Sequence, residues 1–517
     1  MKTIKVRKTT VILLVFLISV VAAVIMLPEN AADTSISSIS ELSGKNVGVQ
    51  NSTLYEVSLL EKNPDALVSI YSDPSGMEMA LIQRKIDAIA TEEITYRAFR
   101  IAYPEVAALQ EPLDTSPVGF AFAENKKGRT LYYQMEEYIA KCKSDGTLER
   151  LDDYWVKNYD PDVCRSHAEG FTGENGTIRI AMEAGFEGFS NLVEGELCGF
   201  DVDYVYGFCR EYGYIPEIVL MDFDGIAPSI TSGKCDFGSG IVLSEEREEE
   251  LLLSSVYYEN KILMVVIGES EGGSFFEKIK NSFVNTFIKE NRWKMLLEGT
   301  GVTLLITIMS IIIGALLGFG GYLLIKDGDP FCRKFLGAFS WIVQGVPTVV
   351  ILMLLYYVIF GTKSISSILT AIIGFSLMFA CSVMDMIGSG VKAVDSGQNE
   401  AARAQGLSNR QSFFRIILPQ AAYHFMPNFK SEVVTILQET SIVGYIAIMD
   451  LTKMADMIRS RTFDAFFPII SSAVIYLLLI VVLTKIIDLI NPKIDISKRK
   501  LPKEIAGIRN SKQLQID

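Results

Sequence analysis

The stretch "GQNEAARAQGLSNRQSFFRIILPQAAYHFMP", Gly397 to Pro427, is polar, helix-forming and interrupted by one glycine, and it lies between long apolar runs. Ala401, Ala402 and Ala404 are strong helix formers with little bulk. Gly406 supplies the positive φ that ends the first helix. Ser408 or Asn409 caps a second helix, expected to run to Pro419. A small alanine face lets such a hairpin seat closely in a groove on another protein. The fold question is therefore what a soluble helical pair does between membrane spans.

Working outward, apolar stretches occur at about Val302–Ile325, Phe335–Phe360, Ser366–Val391, Glu432–Met449 and Phe466–Ile490. Most exceed the roughly 20 residues that cross a bilayer, and together they predict five spans. The fourth is shorter and contains Gln438 and Glu439. At the N-terminus, Lys2, Lys5, Arg7 and Lys8 precede an apolar run from Val11 to Pro28. That pattern reads as a signal peptide or a signal-anchor helix. The loops after the first and third spans carry Lys326, Arg333 and Lys334, then Arg403, Arg410 and Arg415. The tail holds seven basic residues against three acidic ones (Asp495, Glu504 and Asp517). By the positive-inside rule these segments are cytosolic and the stretch from about residue 30 to the first span is exported.

The net charge of −13 argues against a nucleic-acid partner. Five of the seven cysteines (Cys142, Cys164, Cys198, Cys209 and Cys235) fall in the exported part, without metal-site spacing. One or two disulfides, or buried free thiols, are open readings. With two histidines, His167 and His424, a histidine-rich metal site is excluded, and no metal or cofactor is expected.

Between Ser35 and Tyr159 strands and helices alternate: "NVGVQ", "YEVSLLEK", "VSIY", "GMEMALIQRK", "DAIAT" and "PVGFAFAE". A helical pair turned at Asp145-Gly146 closes this unit. After a linker, a second α/β unit starts at "TIRIAMEAGF". Alternation of this kind predicts a mostly parallel sheet with covering helices.

Both units resemble the lobes of bacterial family 3 solute-binding proteins for polar amino acids. "ELCGFDVDYVYGFCREYG", "DFDGIAPSITSGKCD" and "LSEEREEELLLSSVYYEN" are similar to the family's first lobe. "ELSGKNVGVQNSTLYE", "LIQRKIDAIATEE" and "CKSDGTLERLDDYWVKNY" are similar to its second lobe and closing helices. The order is reversed relative to the family, which implies a circularly permuted two-lobed receptor. The resemblance implies that Arg247 pairs with a ligand α-carboxylate, since a guanidinium fork suits two parallel hydrogen bonds. It places Thr53 on the same anion, although Thr53 reads equally as a helix N-cap. Glu92 would take the α-ammonium, Phe186 and Phe223 would sandwich the side chain, and Glu183 would contact its end. Val242 stands where the family often has a hydroxyl.

The opening stretch and its flanks, "LLEGTGVTLLITIMSIIIG", "VQGVP", "DSGQNEAA" and "QETSIVGYIA", resemble ABC importer permeases of the polar amino-acid subfamily. In those, Glu400, Ala401, Ala402, Gly406, Leu418 and Pro419 would belong to the coupling loop that docks on an ATPase. Gln344, Asp385 and Gly388 depart from the usual residues.

No G-x-x-x-x-G-K-[ST] occurs, so the ATPase is expected to be a separate subunit. The expected parts are a signal peptide or signal-anchor helix (1–29), second lobe with closing helices (30–160) and linker (161–176). First lobe (177–270), linker (271–291), permease (292–492) with its coupling loop (395–420) and a basic cytoplasmic tail (493–517) follow. The expected protein is a non-enzymatic importer subunit of a bacterial cell membrane, working as a homodimer or with a related permease. The alternative is a ligand-gated channel or amino-acid sensor built on the same two lobes.

Overall fold

The computed structural model describes residues 36–494 apart from 52, 72–73, 161–162, 184, 187, 194, 244, 249, 269–274, 329 and 362–364. The expected signal segment (1–29) and nearly all of the tail (493–517) lie outside the described residues.

Twelve strands are described: β1 (Asn46–Gln50), β2 (Leu67–Tyr71), β3 (Ala88–Glu92), β4 (Val106–Ala108), β5 (Asp114–Phe122) and β6 (Thr177–Glu183), then β7 (Asn191–Val193), β8 (Glu196–Cys198), β9 (Ile215–Met221), β10 (Phe237–Val242), β11 (Leu252–Leu253) and β12 (Tyr258–Ile267). Ten of them form one sheet of order β2-β1-β3-β12-β5-β10-β6-β9, with β4 on β12 and β11 on β5. Each end of the sheet is the parallel core of one lobe: β1 pairs with β2 and β3, and β6 pairs with β9 and β10. The residues of β3, AIATE, are buried throughout, as a parallel strand covered on both faces requires.

The two lobes are joined by β5 and β12, which run antiparallel to each other. The Tyr258–Ile262 part of β12 pairs with β5, whereas Ile262–Val266 pairs with β3. The far end of β5 turns to β10. These two strands are therefore shared by both lobes, and one register unites residues that are 144 positions apart, Ser116 opposite Asn260.

The closing helix Lys126–Ser144 buries Leu131, Met135, Tyr138 and Ile139 against Ile178, Tyr204 and Phe208 of the second unit. Gly146, at φ 76°, makes the turn into the next helix, a conformation that glycine adopts without steric cost. The 161–176 stretch forms no regular element among its described residues but carries Cys164, which is bonded to Cys198. That bond closes a 34-residue separation, which by chain entropy stabilises the fold by about 3–4 kcal/mol. Cys142, Cys209 and Cys235 are buried free thiols.

Among the described residues, the helical part has three helices long and apolar enough to cross a membrane, Trp293–Asp327, Ser367–Lys392 and Phe466–Ile494. Two bent pairs raise the count to five if each is one span. The expected second span is not a single rod: Pro330–Gly345 and Thr348–Ile359 meet at 108°. Pro347 lies at the break and drives the residue before it out of the helical region. The fourth span is also longer than expected, because Asn409–Ile446 is continuous and bends by 56° into Leu451–Thr462. The stretch expected as a second linker (271–291) is helical over Phe275–Phe283 and Val284–Ile288.

Small residues set the helix spacing. A Cβ on Gly314 or Gly318 would come within 2.8 Å of Ser376 O and 2.5 Å of Ala380 O. The Trp293–Asp327 and Ser367–Lys392 backbones thus approach closely, as packing in lipid favours. The departing residues compensate one another: Gln344 Nε2 donates to Asp385 Oδ2 at 2.9 Å.

Candidate functional site

A cavity lies between the two lobes, lined by Thr53, Glu92, Glu183, Phe186 and Phe223 together with Gln50, Tyr55, Ser116, Phe189 and Asn260. Five of the six residues singled out in the sequence thus meet on one space, brought from both α/β units. Three of them sit at the ends of elements. Glu92 ends β3 and precedes helix Glu93–Ala102. Glu183 ends β6, and Phe223 begins helix Phe223–Thr231. Phe186 stacks on Phe189 with centroids 4.7 Å apart.

Thr53 is not the cap residue itself. Leu54 holds that position before helix Tyr55–Lys62, and Thr53 Oγ1 donates to Gln50 O at 2.7 Å. Arg247 stands at the rim rather than among the lining residues: its guanidinium is 5.2 Å from the Phe223 ring centroid, and Nη1 donates to Val242 O at 2.7 Å. Val242 does line the cavity.

The electrostatics are those of a buried acidic space. Glu92, 7% exposed, accepts a hydrogen bond from Tyr55 Oη, and burial raises its pKa despite that bond. Burial, and then the nearby Glu92 charge, pushes Glu183 up to about 8. Two carboxylates facing one cavity disfavour each other's charged form, so the space favours a cation.

Sequence reasoning missed Ser116 and Asn260. Among the described residues, Ser116 Oγ and Asn260 Oδ1 are buried without a hydrogen-bond partner, and their residues are 5% and 4% exposed. A buried polar atom left unpaired costs about 1–3 kcal/mol. Both line the cavity, so a ligand there would meet two waiting polar atoms on the strands shared by the lobes. Each lies in the polar half of its strand, Ser116 after Asp114 and Thr115 and Asn260 between Glu259 and Lys261, so no local sequence signal marks it.

At the other end of the helical part, Asp395 caps helix Ser396–Ala404 by accepting from Gly397 N. Gly406 adopts φ 81°, and Ser408 and Gln411 form a reciprocal capping box. Ser412 Oγ donates to Asn399 Oδ1 at 2.7 Å, tying the two arms. Ala402 is buried inside the hairpin, whereas Glu400, Ala401, Ala404 and Gly406 are exposed. The second helix does not stop at Pro419. A π-helical turn at Phe413–Ile417 leads into Leu418–Glu439, placing Pro419 in the first turn of that helix, where a missing N–H does least harm.

Among known proteins, residues 311–496 match the family described as "Binding-protein-dependent transport system inner membrane component". The chain is similar to a "Putative glutamine transport system permease protein GlnP" of Rickettsia bellii (strain RML369-C), 30% identical over 205 residues, covering 39% of this chain and 94% of the relative. It is also similar to an "Arginine transport system permease protein ArtQ" of Bacillus subtilis (strain 168), 32% identical over 193 residues, covering 37% of this chain and 87% of that protein. A solved "amino acid ABC transporter with histidines" is 26% identical with a TM-score of 0.37, covering 44% of this chain and all of the other.

Proposed function

We propose that this chain, which belongs to the family of binding-protein-dependent transport system inner membrane components, is the fused receptor and permease subunit of an importer for polar amino acids. The observation that carries the reading is a cavity between two lobes, with two carboxylates, an aromatic pair and two polar atoms unpaired among the described residues around it. An α-amino acid has the matching groups. Its ammonium finds Glu92, and its side chain lies between Phe186 and Phe223 with Glu183 at the far end. Its carboxylate is taken by Thr53 and by Arg247, which swings inward from the rim. Relatives named for glutamine and arginine transport fall in the same substrate class.

The roles of the parts follow. Residues 30–160 and 177–270 form the receptor outside the cell, and 292–492 form the permease. The hairpin of residues 395–420 meets a separate ATPase inside, through the exposed face around Glu400, Ala401, Ala404 and Gly406. Two such permeases, as a homodimer or with a related chain, complete the pore. Helix Ser367–Lys392 spans about 39 Å at 1.5 Å per residue. Its N-terminal end lies beside the receptor, where Lys234 Nζ donates to Ile365 O, and its C-terminal end leads to the hairpin.

Calorimetric titration of the full chain in lipid nanodiscs against the common amino acids tests the receptor. Uptake into vesicles that also hold the ATPase tests the permease. Micromolar or tighter binding of a polar amino acid is expected, and no binding across the whole set would overturn the reading.

A further inference from the structure

Helix Leu451–Thr462 belongs to the helical part by sequence, yet it touches both lobes. On the lobe of β1–β3, Ser460 Oγ lies 3.0 Å from Ser75 Oγ, and the Phe463 ring packs tilted against Phe99 with centroids 5.2 Å apart. Tyr103 Oη donates to the Phe463 carbonyl at 3.1 Å. On the lobe of β6 and β9, the buried Lys453 donates to Asp222. Met457 lies between them, against Gly185. Lys453, Met457 and Ser460 follow the i, i+4, i+7 spacing that puts residues on one helix face.

Two local departures accompany this arrangement. Asp222 sits at the N-cap of Phe223–Thr231 in extended conformation but makes no capping bond there; its carboxylate serves Lys453 instead. Phe463 holds φ 52°, an uncommon conformation for a bulky residue, and is buried in the core of the lobe of β1–β3. Such strain persists where the surroundings over-determine it. The ionic contact is also close to the cavity. Asp222 precedes Phe223 and follows Met221, the ladder partner of Glu183.

We propose that Leu451–Phe463 is a clasp that reads closure of the receptor, with one foot on each lobe, so that it seats fully only when the lobes are together. The membrane part then senses the receptor through one helix of the same chain. The inference rests on the reading of the two lobes as a ligand-closing receptor.

The test uses the full chain in nanodiscs, with Cys332→Ser and the pair Ser75→Cys and Ser460→Cys, and follows disulfide formation by peptide mass spectrometry. The bond should form readily, because the two hydroxyls already touch. Asp222→Lys, on the opposite lobe, should slow its formation about fivefold or more. Adding Lys453→Asp to that variant should restore the rate, and Asp222→Asn, a milder change, should slow it in the same direction. Unchanged rates in both Asp222 variants would overturn the clasp, since the two feet would then be independent. Titration of the same samples with L-glutamine and L-arginine separates the two readings. Intact binding with uncoupled feet removes the clasp alone, whereas binding of neither amino acid, nor of any other in the set, removes the receptor.

Discussion

The helical part is finished differently at its two ends. Where it meets the lobes, its polar groups are paired within the chain: Lys453 with Asp222, Lys234 with Ile365 O, and Arg461 with the buried Glu290 beside Arg292. At the far end, the hairpin uses its hydrogen bonds to brace itself and leaves alanine and glycine surface in solvent. The difference indicates where the partner comes from. A surface satisfied by its own chain has its partner fused to it, whereas the braced but uncovered surface is the one that the proposed function leaves to a separate ATPase.

The largest expected effect tests the uncovered end. Gly406→Val should reduce vesicle uptake at least about 100-fold while amino-acid affinity stays unchanged. No atom lies within 4 Å of a Cβ built there, so the damage comes from φ 81° and not from a clash. Gly406→Asn, which tolerates the left-handed region, should therefore retain most of the uptake. Equal loss in both variants would remove the backbone argument.

At the fused end, Arg247→Ala should weaken amino-acid binding about 30-fold, or about 2 kcal/mol, by leaving the ligand carboxylate unpaired. Affinity within about threefold of the unaltered protein would leave Arg247 as a rim residue only. Ser116→Ala should cost about tenfold in affinity, yet the melting temperature of the ligand-free protein should not fall. In that state the hydroxyl is buried without a partner, so removing it relieves a penalty. A lower melting temperature would mean that the hydroxyl has a structural partner.

The smallest effect is a proton. Burial holds the folded pKa of Glu183 at about 8, well above the ordinary carboxylate range. Its contribution to stability is therefore fully present below the unfolded value and is lost as pH rises through about 8. A ligand cation beside it favours the carboxylate and expels the proton, so binding at pH 7 should release protons. Calorimetry in phosphate and in Tris buffer, which differ in ionisation heat, reads the release. Glu183→Gln should abolish it, and an identical buffer dependence in that variant would exclude Glu183 as the source.

The legible parts of the molecule were those written in local pattern. The strands "NVGVQ" and "DAIAT", the turn at Gly146, the αL position of Gly406 and a cap at Ser408 or Asn409 depend on residues within a few positions of each other. The bend at Pro347 was visible as "VQGVP" but was passed over, because hydropathy sums along a stretch and does not record direction. The continuation of the helix through Pro419 was missed for a related reason. Proline stops a helix from its interior, but a π-helical turn at Phe413–Ile417 lets it occupy a first turn.

Of the cavity, the residue types came from sequence, whereas the pairing of Ser116 with Asn260 did not, since it is a register between strands far apart in the chain. By itself, the sequence determined the alternation of elements, the apolar lengths and the self-capped hairpin, because backbone propensity and hydrophobic periodicity act over short range. Only the tertiary structure decided that both α/β units share one sheet, that Arg247 rests against Val242 and Phe223, and that Lys453 reaches Asp222. Those contacts are long-range and specific to particular atoms, and packing and charge neutralisation set them only after the chain has closed on itself.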